Sequence, residues 1–430
     1  MFSLLLLLIL SLTFVASVPL SNDHSHDVHK RLPSTWFHSD DHPVHALFKR
    51  APDDGTNYAP VGSPAWSSGF PSGVPNQSQL PKAWVDALNA AVAAGKIPNI
   101  PVSSNKPNTN PVYPQGFDPN GPQVCSSTYK CRIPGSIWDA PTGVFASAFD
   151  DGPLPPTTNL VQFLQQQNQS TTHFMIGINI IYYPAQFQAA FNAGHDIAVH
   201  TWTHPYMTTL SNLDVLGQLG WTAELIRNST GGRVPKFWRP PYGDSDTRVS
   251  AIAKEVFDLT TVVWNQDSAD WSLTLPGGTT SAQVHASLQR FITGPKSPGL
   301  VILQHELSDQ SVQAFIDVYQ LIKSNNWTIG SVATTVNGSD SYQNSHNSSS
   351  NVTPAAGIFA GQTSTASTAS STMQSTGSSS GSPPPVSSKP ASSTTAPAKS
   401  SNSCHEDKAS LNMIYAILTI TSTAMFVLAF

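Results

Sequence analysis

The sequence predicts an α/β protein in which strands and helices alternate about a parallel sheet or barrel across residues 142–336 of a 430-residue chain. Three observations predict it. Short apolar runs recur through this stretch, and amphipathic segments of helical period lie between them. Side chains suited to chemistry follow the apolar runs, at the strand ends where parallel α/β architectures place their sites.

In chain order the strands are expected at 144–148, 172–176, 196–199, 236–238, 260–264 and 300–303. The helices between and after them are expected at 157–168, 185–193, 214–227, 246–257, 282–291 and 312–324. Nothing in the pattern says whether the sheet closes. Ahead of it, residues 51–139 are rich in Pro, Gly, Ser and Asn, with one helical patch at 82–94, and read as an irregular cap wrapped on the next domain.

The flanks read as processing and tethering segments. Residues 1–17 are an apolar run ending in small residues, the pattern of a secretory leader, although without the usual basic start. Residues 18–50 carry six of the fourteen His and the dibasic pairs Lys30-Arg31 and Lys49-Arg50, and read as a propeptide. Beyond residue 337 the composition collapses into Ser, Thr, Pro and Ala as far as 403, a low-complexity stalk expected to be extended and disordered. Residues 404–430 join a polar spacer to an apolar tail without basic residues, which reads as a glycosylphosphatidylinositol signal cut near Asn402. An ordinary membrane span is the alternative. The chain is therefore expected to be secreted and held at the outer face of the membrane and in the wall.

Asn-x-Ser/Thr sites at Asn76, Asn168, Asn228, Asn326, Asn337, Asn347 and Asn351 suit that route. In an oxidising compartment Cys125 and Cys131 can close a short disulfide loop ahead of the α/β region. With 21 Lys+Arg spread thinly and a formal charge of -5, no basic stripe exists. Nucleic acid is excluded as a partner, and a neutral polymer fits better.

The first strand end reads Phe149-Asp150-Asp151-Gly152. Adjacent carboxylates repel, so a metal is a natural neighbour for one of them, although Asp-Asp-Gly is by itself an ordinary turn. The third reads His200-Thr-Trp-Thr-His204-Pro205, where two imidazoles four residues apart can face one ion. With Asp151 they supply two nitrogens and one oxygen and leave positions open, the format of a catalytic metal site. Arg239-Pro-Pro-Tyr242-Gly243, Asp267-Ser-Ala-Asp270-Trp271 and Leu303-Gln304-His305-Glu306 follow, each after an apolar strand.

In that order these five motifs resemble the carbohydrate esterase family 4 polysaccharide deacetylases, or NodB homology domain, and the segment from His195 to Ser211 looks like fungal chitin deacetylases in particular. Two positions depart from the pattern: Ala148 stands where Thr is common, and Glu306 follows the last His where Asp is usual. The resemblance implies a distorted or incomplete (β/α) barrel and hydrolysis of N-acetyl groups with a divalent cation, Zn2+ or Co2+. It implies Asp151, His200 and His204 as ligands, Asp150 as base, Arg239 as the group that orients the base, and His305, paired with Asp270, as acid. It gives the Tyr242 backbone N–H to the oxyanion, and Trp271 and Leu303 to an apolar pocket for the acetyl methyl. The implied substrate is chitin or its oligomers among wall glycans; peptidoglycan and acetylated xylan remain alternatives.

Two further readings compete. Two His and one carboxylate also form the ligand set of non-haem iron oxygenases, but the βα alternation argues against their all-β sandwiches. A wall protein without turnover is the other, opposed by the intact set of seven chemical residues. Whether the imidazoles of residues 18–50 occupy or feed the metal site, or belong to a merely solvated leader, is left open.

Overall fold

The computed structural model describes residues 52–106, 109–336 and 340–359. The leader, the His-rich segment, Asn337, residues 360–403 with Asn402, and the anchor signal lie outside the described residues. Among the described residues no helix is long and apolar enough to cross a membrane.

Strands β1 (Val144–Gly152), β2 (Thr172–Met175), β3 (Asp196–Val199), β4 (Phe237–Trp238), β5 (Thr260–Thr261) and β8 (Thr328–Ser331) form one parallel sheet in the order β5-β4-β3-β2-β1-β8. Strands β6 (Gln266–Asp267) and β7 (Ile302–Leu303) form a parallel pair. Isolated parallel bridges from Phe145 to Leu300 and from Asp150 to His305 tie the β7 segment to β1. The sheet thus curls towards closure through short, irregular strands, a distorted and incomplete barrel.

Alternation along β1 shows which face is which. Ala146 and Ala148 point inward to Phe174, Ala198, Phe237, Val263 and Leu303, where small residues leave room for large ones. Phe145 and Phe149 point outward into a layer made by α2 (Thr157–Gln166), α7 (Ser281–Thr293) and α8 (Asp309–Ser324). On the other flank Ile197 and Val199 of β3 pack with α4 (Pro184–Asn192), α5 (Asn212–Ser229) and α6 (Thr247–Phe257). Helix α1 of the cap (Lys82–Ala93) buries Trp84, Leu88 and Ala91, an i, i+4, i+7 stripe. Trp84 meets Trp221 and Phe257 edge-on at 5.2 and 5.6 Å. A Cβ at Gly220 would lie 2.4 Å from the Trp84 ring, so glycine there is what lets the cap helix seat.

The expected strands and helices are present with shifted ends. Unanticipated are β6, β8, the short helix α3 (Gly177–Tyr182) and the single helical turns Pro64–Ser67 and Val332–Thr335. Gln266–Asp267 and Thr328–Ser331 lack apolar runs because they lie at a seam and at an edge, where burial demands less. The disulfide between Cys125 and Cys131 is formed.

One boundary is corrected. Residues 340–359, assigned to the stalk by composition, are folded onto the domain. Tyr342 is fully buried, bridges Pro235, and its hydroxyl accepts the Ile197 N–H at 3.2 Å. Asn344 accepts from Val234 N and donates to Gly232 O, while Arg233 donates to the carbonyls of Asn347 and Ser350. Phe359 packs against Phe257. Ser and Asn serve here as partners for buried backbone, a use that composition does not distinguish from a solvated linker. Of the described sequons, Asn76, Asn168, Asn326 and Asn351 are exposed, whereas Asn228 and Asn347 are half-buried.

Candidate active site

At the C-terminal ends of the strands, Asp151 (end of β1), His200 (after β3) and His204 offer ligand atoms that all lie within 4.8 Å of one another. Asp151 Oδ1 lies 3.3 Å from His200 Nε2 and 3.1 Å from His204 Nε2. It is nevertheless buried without a hydrogen-bond partner. Burial alone raises the Asp151 carboxyl, but the His204 and His200 imidazoles outweigh it and hold it well below the usual carboxylate range. His200 Nδ1 is 2.7 Å from the Arg239 carbonyl, so Nδ1 carries the proton and Nε2 presents its lone pair to the cluster. Two imidazole nitrogens converging on a buried carboxylate oxygen without a hydrogen-bond partner are a donor set that a divalent cation fits.

Asp150, one residue before Asp151, points to the barrel interior and is 1% exposed. The Arg239 guanidinium, fully buried, donates to Asp150 Oδ1 at 2.6 Å and to Val263 O at 3.3 Å, with Phe174 beneath it at 4.3 Å. Burial pushes the guanidinium below its ordinary value and Asp150 opposes that. The second oxygen, Asp150 Oδ2, is left facing the cluster, 4.0 Å from His200 Nε2. Backbone pairing of Asp150 with the segment 304–306 brings His305 alongside: Asp150 N donates to Gln304 O at 3.0 Å, and Glu306 N to Asp150 O at 3.1 Å.

His305 is gripped twice by Asp270, through its backbone N–H at 2.8 Å and its Nδ1 at 2.7 Å. Nε2 therefore points to the cluster, 4.0 Å from Asp151 Oδ2. Burial lowers this imidazole, but the Asp270 carboxylate outweighs it and the group is pushed up to about 9. The proton is thus held across neutral pH and lost as pH rises through that value. In Asp270→Asn the His305 ring resonances are expected to titrate about 1–3 units lower than in the wild type, measured by NMR.

The loops that carry these groups are in strained conformations. Asp151, Thr201, His204, Tyr242 and Ala269 all have left-handed φ, between 58° and 70°, each costing on the order of 1–2 kcal/mol. Neighbours hold them there. Asn179 of α3 donates to Asp151 O at 2.9 Å, and Gln218 of α5 accepts from Trp202 N and Thr203 N at 2.9 Å. Sequence reasoning missed both supports; the only signal for Gln218 is a polar residue on the buried face of a helix. The cap contributes too: Tyr113 bonds Asp246, Ser103 bonds Thr208, and Thr208 bonds Asp244, locking the turns after His204 and Tyr242.

The structure therefore brings together Asp150, Asp151, His200, His204, Arg239, Asp270 and His305. Tyr242 is half-exposed, stacked on Tyr206 at 4.0 Å and edge-on to His204 at 4.6 Å. Trp271 is exposed at the rim beside Asp270. Leu303 is instead packed in the barrel interior.

Residues 139–257 match the model of the polysaccharide deacetylase family. Chitin deacetylase 3 of Cryptococcus neoformans var. neoformans is 40% identical over 310 residues, covering 70% of this chain and 72% of that protein. Chitin deacetylase 1 of Saccharomyces cerevisiae is 38% identical over 185 residues, 43% of this chain and 59% of that protein. Among solved structures, the chitin deacetylase of Colletotrichum lindemuthianum aligns with 49% of this chain and 97% of its own at 23% identity and a TM-score of 0.43.

Proposed function

Because the chain belongs to the polysaccharide deacetylase family, we propose that it hydrolyses the N-acetyl groups of wall chitin, giving chitosan and acetate. The observation that carries the reading is the convergence on one point of Asp150 Oδ2, the Asp151-His200-His204 donors and His305 Nε2.

An acetamide is a poor electrophile, so its hydrolysis needs an activated nucleophile, a stabilised oxyanion and a protonated leaving amine. Asp151, His200 and His204 would hold the cation, and two nitrogens with one oxygen suit Zn2+ or Co2+. When bound, the cation lowers the pKa of water and polarises the acetyl oxygen. Asp150, fixed through Oδ1 by Arg239, takes a proton from the attacking water at Oδ2. As the water oxygen bonds to the acetyl carbon, the Tyr242 backbone N–H supports the developing oxyanion from a rigid Pro-Pro-Tyr-Gly turn. The C–N bond then breaks, and His305 Nε2–H protonates the departing amine, with Asp270 stabilising the imidazolium until that point. Trp271 at the rim and Leu303, two residues before His305, are assigned to the wall around the acetyl methyl.

Chitin is favoured by what the relatives are named for. The leader and the glycosylphosphatidylinositol signal read in the sequence would place the enzyme at the outer membrane face and in the wall, next to that polymer. The test is acetate release by the full secreted chain from chitin oligomers, acetylated xylan and peptidoglycan. Release from chitin oligomers is expected to dominate. Release confined to xylan or peptidoglycan would move the substrate, and release from none would revive the wall protein without turnover.

A further inference from the structure

Behind the site, on the opposite side of the β1 end, lies a buried polar chain to which the mechanism assigns no part. Glu306, His173 and His195 are all fully buried. Successive residues of an extended segment face opposite ways, so His305 faces the ligand cluster and Glu306 the side of Phe149. Glu306 Oε1 lies 2.7 Å from His173 Nδ1, and His173 Nε2 lies 2.8 Å from His195 Nδ1. The two rings stack at 5.1 Å, and His195 is pushed down to about 3 by burial and then by His173, so it stays uncharged.

The chain crosses three neighbouring elements: the segment after β7, strand β2, and the residue before β3. It is fitted closely to the catalytic turn. A Cβ at Gly152 would lie 2.0 Å from Glu306 Oε1, so the carboxylate occupies the space that any other residue at 152 would need. Stability does not account for it. Glu306 Oε2 and His195 Nε2 are buried without hydrogen-bond partners, and apolar side chains of the same volume would hold the fold as well or better. What a polar chain supplies and apolar packing does not is one defined geometry.

We propose that Glu306, braced by His173 and His195, is a positioning residue that seats the 150–152 turn against the 304–306 segment and so sets the spacing of Asp150 and His305. The inference rests on the deacetylase reading above. It also accounts for Glu where the family pattern has Asp: one methylene fewer withdraws the carboxylate by roughly 1.5 Å, beyond hydrogen-bond reach of His173.

The test uses the full secreted chain, zinc-loaded, with chitin oligomers as substrate and Asp150→Asn as the inactive control. Glu306→Gln keeps the length and the acceptor, and its kcat is expected to stay within about threefold of the wild type. Glu306→Asp is expected to lose at least about tenfold in kcat, with KM and zinc affinity within twofold. His173→Asn, which keeps a donor for Glu306 but loses the link to His195, is expected to fall between them and serves if Glu306→Asp does not fold. Lower melting temperatures with kcat unchanged in Glu306→Asp and His173→Asn would overturn the inference. So would a joint loss of kcat and zinc affinity, because positioning would then act on the ligands. If the wild type itself releases no acetate, it is the deacetylase reading that fails.

Discussion

Asp150→Asn is expected to lower kcat/KM for acetate release about 10³-fold, the scale of losing a well-placed general base, while zinc affinity stays near that of the wild type. Two effects compete in this variant. Removing the charge leaves the buried Arg239 guanidinium without its counter-ion, and breaking a buried pair costs up to about 3–5 kcal/mol of stability. The Asn oxygen can still accept from Arg239 Nη1, which reduces that cost. A 10³-fold loss corresponds to about 4 kcal/mol in the barrier, so the two contributions are similar in energy but separate in measurement. The melting temperature reads the first, and turnover per zinc-loaded molecule reads the second. Turnover above about one tenth of the wild type in Asp150→Asn would remove Asp150 as the base.

Stripping the cation with a chelator should abolish acetate release, and Zn2+ or Co2+ should restore it. The same site should report by stability. Ligand at 100 times its Kd stabilises the folded state by about 2.7 kcal/mol, which for a domain of this size is a rise of roughly 5 °C in melting temperature. In His204→Ala the donor set falls from three to two, and that rise is expected to disappear at the same zinc concentration. His204 is the appropriate ligand to remove: it is only partly buried, so truncation leaves no large cavity, whereas His200 is buried and hydrogen-bonded to Arg239 O. An unchanged zinc-induced rise in His204→Ala would show that the cation binds elsewhere.

Much of the site was legible along the chain because each of the five motifs lies at or beyond the end of an apolar run. The strand is recognised by local pattern, and the parallel topology then delivers every strand end to one side of the sheet. Asp150, His200, Arg239 and His305 were found in that way. Their supports were not: Asn179 and Gln218 lie on helices, and nothing local tells a polar residue aimed at a loop carbonyl from one aimed at solvent. Leu303 shows a related limit. It shares a face with His305 two residues on and packs among apolar residues of the barrel interior, so local pattern does not separate a pocket wall from core.

By itself the sequence determined the α/β alternation, the identity and order of the motifs, and the pairing of Cys125 with Cys131 across a short loop. Those features depend on residues near one another in the chain, where period, spacing and compartment are sufficient. Only the tertiary structure decided how far the barrel closes, that residues 340–359 are folded while their composition reads as stalk, and that Glu306 meets His173 across 133 positions. Such contacts depend on which strands adjoin and on space already filled by others, as Gly152 illustrates. Seven residues are proposed to carry the chemistry, and how they are spaced depends on packing behind the sheet, which no run of neighbouring residues encodes.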